Sequence, residues 1–408
     1  MTTKFRKRTK ATFCRSVGKI YPTLSSRRNC SILRTRFWER KAGCTNKIDS
    51  QPRLSQFSRG GLGPKIERKK QQEMTSHKSP LEPVLSRFPA IHGLGGQIEP
   101  CRGGLSGSKA WKVVGRSKSF CLKRMPADFP VNLLQAIHTA VQTRRQQGMT
   151  TLPSFVAADN GETYIQHQNH FWELQEWLPG EPPNAPPDRY QKQEMLGLIA
   201  QFHALSSDLS PALEVSPGAE RRLAMFQYWN MVDIPHTHAL ISKLGHPQWQ
   251  FWLHALVDSF VTYRQPLGSL LQQMQAERTT LRTCIGDPRL ENYRFDGPHL
   301  VGMFDLGSLR RDSIALDVSR LAGEMSTEGV VDWEEVFALL PASQRLTPSE
   351  ERLAIELDAS NVLLTGLNWV QWLTTDGYSF ENCDQVSSRL QHFHTRMVKI
   401  DGHLAWKI

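Results

Sequence analysis

The apolar positions change period twice along the chain. Over residues 101–126, CRGGLSGSKAWKVVGRSKSFCLKRMP, they alternate: Ala110, Lys112 and Val114 fall on one side of an extended segment, Trp111 and Val113 on the other. This stretch predicts strand, glycine-rich turn, strand, turn, strand. The period lengthens to that of a helix over 131–148, where Leu133, Leu134, Ile137 and Val141 share a face and Gly148 marks the stop. Residues 162–178 predict a hairpin with a strand at each end. The run PGEPPNAPP at 179–187 breaks regular structure, as a hinge or linker does.

Beyond that run the helical period dominates. Residues 189–207 repeat through Met195, Leu198, Ile199 and Phe202, and residues 246–275 predict one or two helices. Residues 284–307 interrupt them with strand and turn features, and a further helix begins in SIALDVSRLAGEM. The last long helix opens with Thr347 as N-cap, Pro348 in the first helical position and Glu350 two residues on, a capping-box start. No internal repeat is present. The order predicts an α+β protein of two lobes: a small β-rich lobe over 81–180 and a larger, mainly helical lobe over 181–408. Ligands favour the cleft between such lobes.

Composition fits this picture and alters one part of it. With 408 residues and 39% hydrophobic content the chain can fill two cores. The net charge of +11 is unevenly spread. Residues 1–80 hold 21 Lys and Arg against 4 Asp and Glu, whereas residues 81–408 hold 29 against 35. The basicity therefore belongs to a tail, and a nucleic-acid function argued from the whole chain fails. The tail has no sustained period and predicts disorder. Three readings of it stand together: an organelle-targeting peptide, a basic arm touching nucleic acid or an anionic membrane, or a segment upstream of the true start at Met74. No apolar run is long enough to cross a membrane, and the lack of an apolar h-region argues against a secretory signal. The seven cysteines are widely spaced and form no CxxC pair, which argues against zinc and disulfides and for a reducing, cytoplasmic setting.

The candidate chemistry lies in residues 284–307. CIGDPRLEN places Asp287 and Asn292 five apart, and VGMFDLG supplies Asp305. Carboxylates and an amide oxygen are hard ligands that suit Mg²⁺ shared with substrate phosphates. A carboxylate left off the metal can orient a hydroxyl and take its proton. The glycine-rich turn at 103–108 lets backbone N–H groups approach phosphates, and a lysine on the strand behind it can pair with them. Together these are the parts of a kinase-type phosphoryl transferase. Taken singly, each is an ordinary turn, cap or surface residue; the spaced set carries the reading.

The set resembles the aminoglycoside phosphotransferase and choline kinase superfamily. IGDPRLEN resembles its catalytic loop, FDLG its metal-binding turn, LDVSRLAG the helix that follows, LGLIAQFHALS the helix after the hinge, and WELQEWLPGEPP the hinge itself. The C-terminal NWVQWL and YSFENCDQVSSRL are similar to a bacterial subgroup known only as phosphotransferases. The resemblance covers about 81–400 and implies a protein-kinase-like fold, ATP (or GTP) as donor, Mg²⁺, and a small-molecule hydroxyl as acceptor. It implies Asp287 as catalytic base, Asn292 and Asp305 on Mg²⁺, and Asp317 as a brace of the catalytic loop. Lys123 would pair with the phosphates, Gly103, Gly104, Gly107 and Ser108 would cover them, and the backbone of Glu176, Trp177 and Leu178 would face adenine.

Two departures matter. Ile285 replaces the loop histidine, and the helix over 131–148 has no glutamate for Lys123, with Gln135 and His138 nearest. A catalytically impaired nucleotide-binding relative is therefore the rival reading, and a nucleic-acid-associated factor driven by the tail is the second. The sequence names neither the acceptor nor the oligomeric state; the acidic balance of 81–408 leans weakly towards a cationic acceptor.

Overall fold

The computed structural model describes residues 80–92, 97–101, 107–115, 117–205, 213–378, 380 and 382–400. The expected basic tail lies outside them but for its last residue, as do Gly103 and Gly104 of the glycine-rich turn. The chain opens with a short helix, α1 (Glu82–Leu85), and then five antiparallel strands in the spatial order β1-β2-β3-β5-β4. These are β1 (Gln97–Pro100), β2 (Lys109–Val114), β3 (Ser119–Arg124), β4 (Tyr164–His167) and β5 (His170–Glu176). The first strand ends just before Cys101 rather than beginning there. Helix α2 (Val131–Gln146) lies between β3 and β4 in the chain.

The alternation of β2 has a direct cause. Val113 is buried and Trp111 packs beside it, stacked on Trp172 of β5 at 5.5 Å. With Phe120, Leu122, Leu174 and residues Val84 and Phe88 they form a core on one face of the sheet. Helix α2 belongs elsewhere. Its apolar residues Ile137 and Val141 join the main core of the helical lobe, and Arg144 donates from Nε to the Phe202 carbonyl at 2.9 Å. Gly148, at φ +96°, ends the helix in the left-handed conformation that glycine adopts freely.

The helical lobe contains α3 (Arg189–Ala204), β6 (Leu213–Glu214), α4 (Pro217–Asn230), α5 (Ile234–Ile241) and α6 (Pro247–Ala276). Then follow β7 (Thr279–Cys284), β8 (Tyr293–Asp296), β9 (His299–Met303), β10 (Arg310–Ser313), α7 (Ile314–Glu324), α8 (Trp333–Leu339), α9 (Pro348–Leu373) and α10 (Cys383–Met397). The region expected as one or two helices is the single helix α6, with Pro266 inside it. Proline removes a ladder hydrogen bond, but buried Leu253, Leu256 and Phe260 before it and Leu267, Leu270 and Leu271 after it hold both halves in one core. The capping box at Thr347 and Glu350 forms as the sequence indicates.

The proline-rich hinge is more firmly held than its composition suggests. Glu181 and Phe295 exchange backbone hydrogen bonds of 2.9 and 2.8 Å, which ties the hinge to β8. Gly180 makes this approach possible: a Cβ there would sit 2.3 Å from the Phe295 carbonyl oxygen. Met303 likewise donates to the Thr151 carbonyl at 2.9 Å, so the β8–β9 hairpin meets the segment that leads out of α2. Among the described residues no helix is long and apolar enough to cross a membrane.

Candidate active site

The loop after β7 carries Asp287, and Asp317 in the first turn of α7 supports it from beneath. One Asp317 oxygen accepts the Ile285 N–H and the other the Gly286 N–H, both at 2.7 Å, and His203 Nε2 of α3 is 2.8 Å away. Asp317 has no exposed surface. A buried carboxylate with this many partners is satisfied and rigid. Ile285, in the position where the resemblance expects histidine, is itself buried and serves the loop through its backbone. Cys284 is also buried; desolvation pushes its thiol well up, which leaves it packed and unreactive.

Asn292 ends a short 3₁₀ turn at Leu290–Asn292. Its carbonyl accepts the Phe304 N–H at 3.0 Å, which sets it beside the turn that bears Asp305. Asp305 adopts φ +59°, uncommon for a residue with a Cβ. Backbone strain of this kind gathers at functional sites. Its carboxylate reaches the other lobe: Lys123 Nζ on β3 donates to Asp305 Oδ1 at 2.7 Å. The cleft thus brings Lys123 of the small lobe together with the loop and turn of the large one. Asn292 and Asp305 carry hard oxygens on segments joined through the backbone, and Asp305 is half-exposed, a donor set that suits a hydrated Mg²⁺.

Lys123 has a second carboxylate that sequence reasoning missed. Glu173 of β5 is its direct cross-strand partner and is almost fully buried. His138 of α2 holds Glu173 at 2.8 Å through Nε2 and contacts Thr163 Oγ1 at 2.6 Å through Nδ1. Burial works against the charge on Lys123, but Asp305 and Glu173 outweigh it and raise the ammonium above its ordinary range. Lys123 in turn is the main cause that holds Asp305 below the usual carboxylate range. The helix supplies no glutamate; a neighbouring strand does, and His138 takes the helix position instead. Gln135, the other residue expected near the lysine, donates to the Tyr164 hydroxyl at 2.8 Å. Only the strand register could have revealed Glu173, since 50 residues of chain separate it from Lys123.

Asp287 is held differently. Arg320 of α7 bonds its Oδ1, and Arg289 Nε donates to its Oδ2 at 2.8 Å. Burial alone would raise the Asp287 pKa, but the two guanidiniums reverse this and hold it far below the usual range. Arg320 also reaches Asn361 of α9 at 2.8 Å. Further along the cleft, Arg389 bridges Glu324 at 2.8 Å and Glu291 at 2.5 Å.

The remaining expected residues lie around this centre. Gly107, at φ +75°, and Ser108 lead into β2. In the hinge, the Glu176 N–H is taken by the Ser154 carbonyl and the Trp177 N–H by that of Ser119. Of the three hinge amides, only that of Leu178 has no acceptor among the described residues.

These features define a two-lobed kinase-like fold with its polar cluster in the interlobe cleft. The sequence pattern of the phosphotransferase enzyme family matches residues 97–344, and the chain belongs to that family. The fold is similar to that of an aminoglycoside phosphotransferase from Alicyclobacillus acidocaldarius, at 15% identity and TM-score 0.54, over 82% of this chain and 97% of that one. It is also similar to a spectinomycin phosphotransferase solved with ADP and spectinomycin, at 11% identity and TM-score 0.52, over 76% and 93% of the two chains. An amicoumacin kinase solved with AMP-PNP and Ca²⁺ matches at 11% identity and TM-score 0.52, over 79% and 92%. A comparison with curated protein sequences found no match.

Proposed function

We propose that this protein transfers the γ-phosphoryl group of ATP to a hydroxyl of a small molecule. The observation that carries the reading is the Lys123–Asp305 contact at 2.7 Å, which joins a strand lysine of one lobe to an acidic turn of the other, beside the Asp287 loop. The nucleotide complexes of the spectinomycin phosphotransferase and the amicoumacin kinase support a nucleotide in this cleft. Lys123 pairs with the α- and β-phosphates, and Glu173 with His138 keeps it in place. Gly107 and Ser108 approach the phosphates from above, and the Leu178 amide faces the adenine. Asn292 and Asp305 hold Mg²⁺, which when bound neutralises phosphate charge. Asp317 fixes the loop from beneath.

Asp287 orients the acceptor hydroxyl. The acceptor oxygen bonds to the γ-phosphorus, the bond from that phosphorus to the β–γ bridging oxygen breaks, and ADP leaves with the electron pair. The hydroxyl proton passes to Asp287. A carboxylate held so acidic is a weak base, but a loose phosphoryl-transfer transition state asks for alignment more than for early proton removal.

The test is Mg²⁺-dependent ATP turnover against a pool of small hydroxyl compounds. Asp287→Asn and Asp305→Ala should each lower turnover by at least ~10³-fold, the scale of losing a group that acts only in the transition state. The engagement of both Asp287 oxygens by arginine favours a second reading, a nucleotide-binding relative without turnover. ATP that raises the melting temperature without being consumed supports that reading; no effect of ATP at all overturns both.

A further inference from the structure

The surroundings of Asp287 do not suit an amine. Its two oxygens already receive Arg320 and Arg289, and more guanidinium lies close by. Arg310 of β10 lies against the loop backbone: a Cβ on Gly286 would sit 2.5 Å from its Nε. Arg222 of α4 is only 9% exposed. One of its terminal nitrogens donates to the Gly218 carbonyl at 3.0 Å, and its Nε is buried with no partner. Its neighbour Arg221 holds Asp312 at 2.7 Å.

The carboxylates facing these arginines and Arg320 are Asp287, Asp312, Asp317 and Glu324, the last held by Arg389 at 2.8 Å. Each is already committed. Asp287 serves Arg320 and Arg289; Asp312 serves Arg221 and Ser216, the latter at 2.6 Å; Asp317 serves the loop backbone and His203. Among the described residues, Arg222 and Arg310 therefore have no carboxylate in direct contact. Their direct bonds go to carbonyl oxygens, of Gly218 and of Ser308. Burial, with Arg320 next, pushes the Arg222 pKa down; burial, with Arg221 and Arg320 next, does the same to Arg310. Like charges buried together are costly unless an anion answers them. Planar guanidiniums match carboxylate and phosphate oxygens in particular.

We propose that Arg222, Arg310 and Arg320 seat an anionic group, a carboxylate or a phosphate, carried by the acceptor. The hydroxyl presented to Asp287 then belongs to a hydroxy acid or a phosphorylated polyol rather than to an amino alcohol or an amino sugar. Such a group lets Arg320 share its charge between Asp287 and the acceptor, and frees one Asp287 oxygen for the hydroxyl. The inference rests on the phosphotransferase reading of the same cleft.

The experiment is calorimetry on the full chain with ADP and Mg²⁺ present. The probes are glycerate, glycerol 3-phosphate and inorganic phosphate, with glycerol and ethanolamine as controls. The expected result is binding of at least one anionic probe, weakened more than tenfold in Arg222→Met or Arg310→Gln, and no heat from the controls. Melting temperatures of both variants establish that they fold. Three outcomes overturn the inference: no anionic probe binds, ethanolamine or glycerol binds as well as the anions, or the anions bind equally to both variants. Displacement of the anions by AMP-PNP also overturns it, since the arginines would then serve the γ-phosphoryl group. An ATP-induced melting shift is measured in parallel. If it persists while anion binding fails, only this inference falls; if it too is absent, the phosphotransferase reading falls.

Discussion

The two sides of the cleft solve opposite electrostatic problems. On the side proposed for the nucleotide one ammonium, Lys123, contacts Asp305 and has Glu173 opposite it on the next strand. On the side proposed for the acceptor one carboxylate, Asp287, stands between two guanidiniums, Arg320 and Arg289, with Arg310 beyond them. The difference fits what each side would receive in the proposed reaction. In the proposed reaction a carboxylate surplus around a lysine would leave room for a divalent cation, because Glu173 would stay near Lys123 if Asp305 bound the metal. A guanidinium surplus around a carboxylate leaves room for an anion.

The sharpest way to break this comparison is to remove the buried partner of Lys123. Glu173→Gln should leave the fold intact and lower kcat by roughly 10²-fold, the order expected when a preorganised electrostatic contact is lost. KM for ATP should rise as well, while KM for the acceptor stays constant. A KM for ATP within twofold of wild type, with kcat unchanged, would show that Asp305 alone positions the lysine. His138→Gln should reproduce a weaker form of the same defect.

The pH profile probes the other side. Asp287 and Asp305 are both held below the usual carboxylate range, so they stay ionised throughout pH 5–8. A carboxylate whose folded pKa is depressed stabilises the protein fully above its unfolded pKa, roughly 4, and loses that contribution as pH falls through the folded value. The acid limb of kcat should therefore lie below pH 4. Arg320→Met should move it upward, towards an ordinary carboxylate. An acid limb already above pH 5 in the wild type would contradict the arginine clamp.

The smallest expected effect concerns a carboxylate with no such clamp. Glu356 of α9 is 2% exposed, its Oε2 has no partner, and burial, reinforced by Glu277, pushes its pKa up to about 7. Here the sign is reversed. The folded state binds the proton more tightly, so stability is greatest below the unfolded pKa and falls as pH rises to about 7. The span corresponds to about 3 kcal/mol at most. Thermal melts from pH 4.5 to 8 should show this slope in the wild type and not in Glu356→Gln. A variant with the same slope would assign it to another group.

Much of the candidate site was legible because it is local. Asp287, Asn292 and Asp305 lie on one loop and one hairpin, so their spacing in the chain fixes their spacing in the fold. The alternation at Trp111 and Val113 likewise reported a sheet with one packed face, and the period through Ile137 and Val141 reported a helix, although not which lobe would bury it. Two readings lacked what only packing supplies. The proline-rich run reads as a hinge or linker, and no sequence pattern shows that Phe295 lies against Glu181. Lys123 looked unpaired, because its partner was sought on the helix and stands on a strand.

The sequence by itself determined the elements, the two-lobed order and the loop that carries Asp287, since each depends on contacts within a few residues or on a repeating period. Only the tertiary structure decided the charges that these residues meet. Glu173 reaches Lys123 through strand register. Arg222, Arg310 and Arg320 come within electrostatic range of one another through the packing of α4, β10 and α7. Electrostatic energy depends on distance in space, and distance along the chain does not report it.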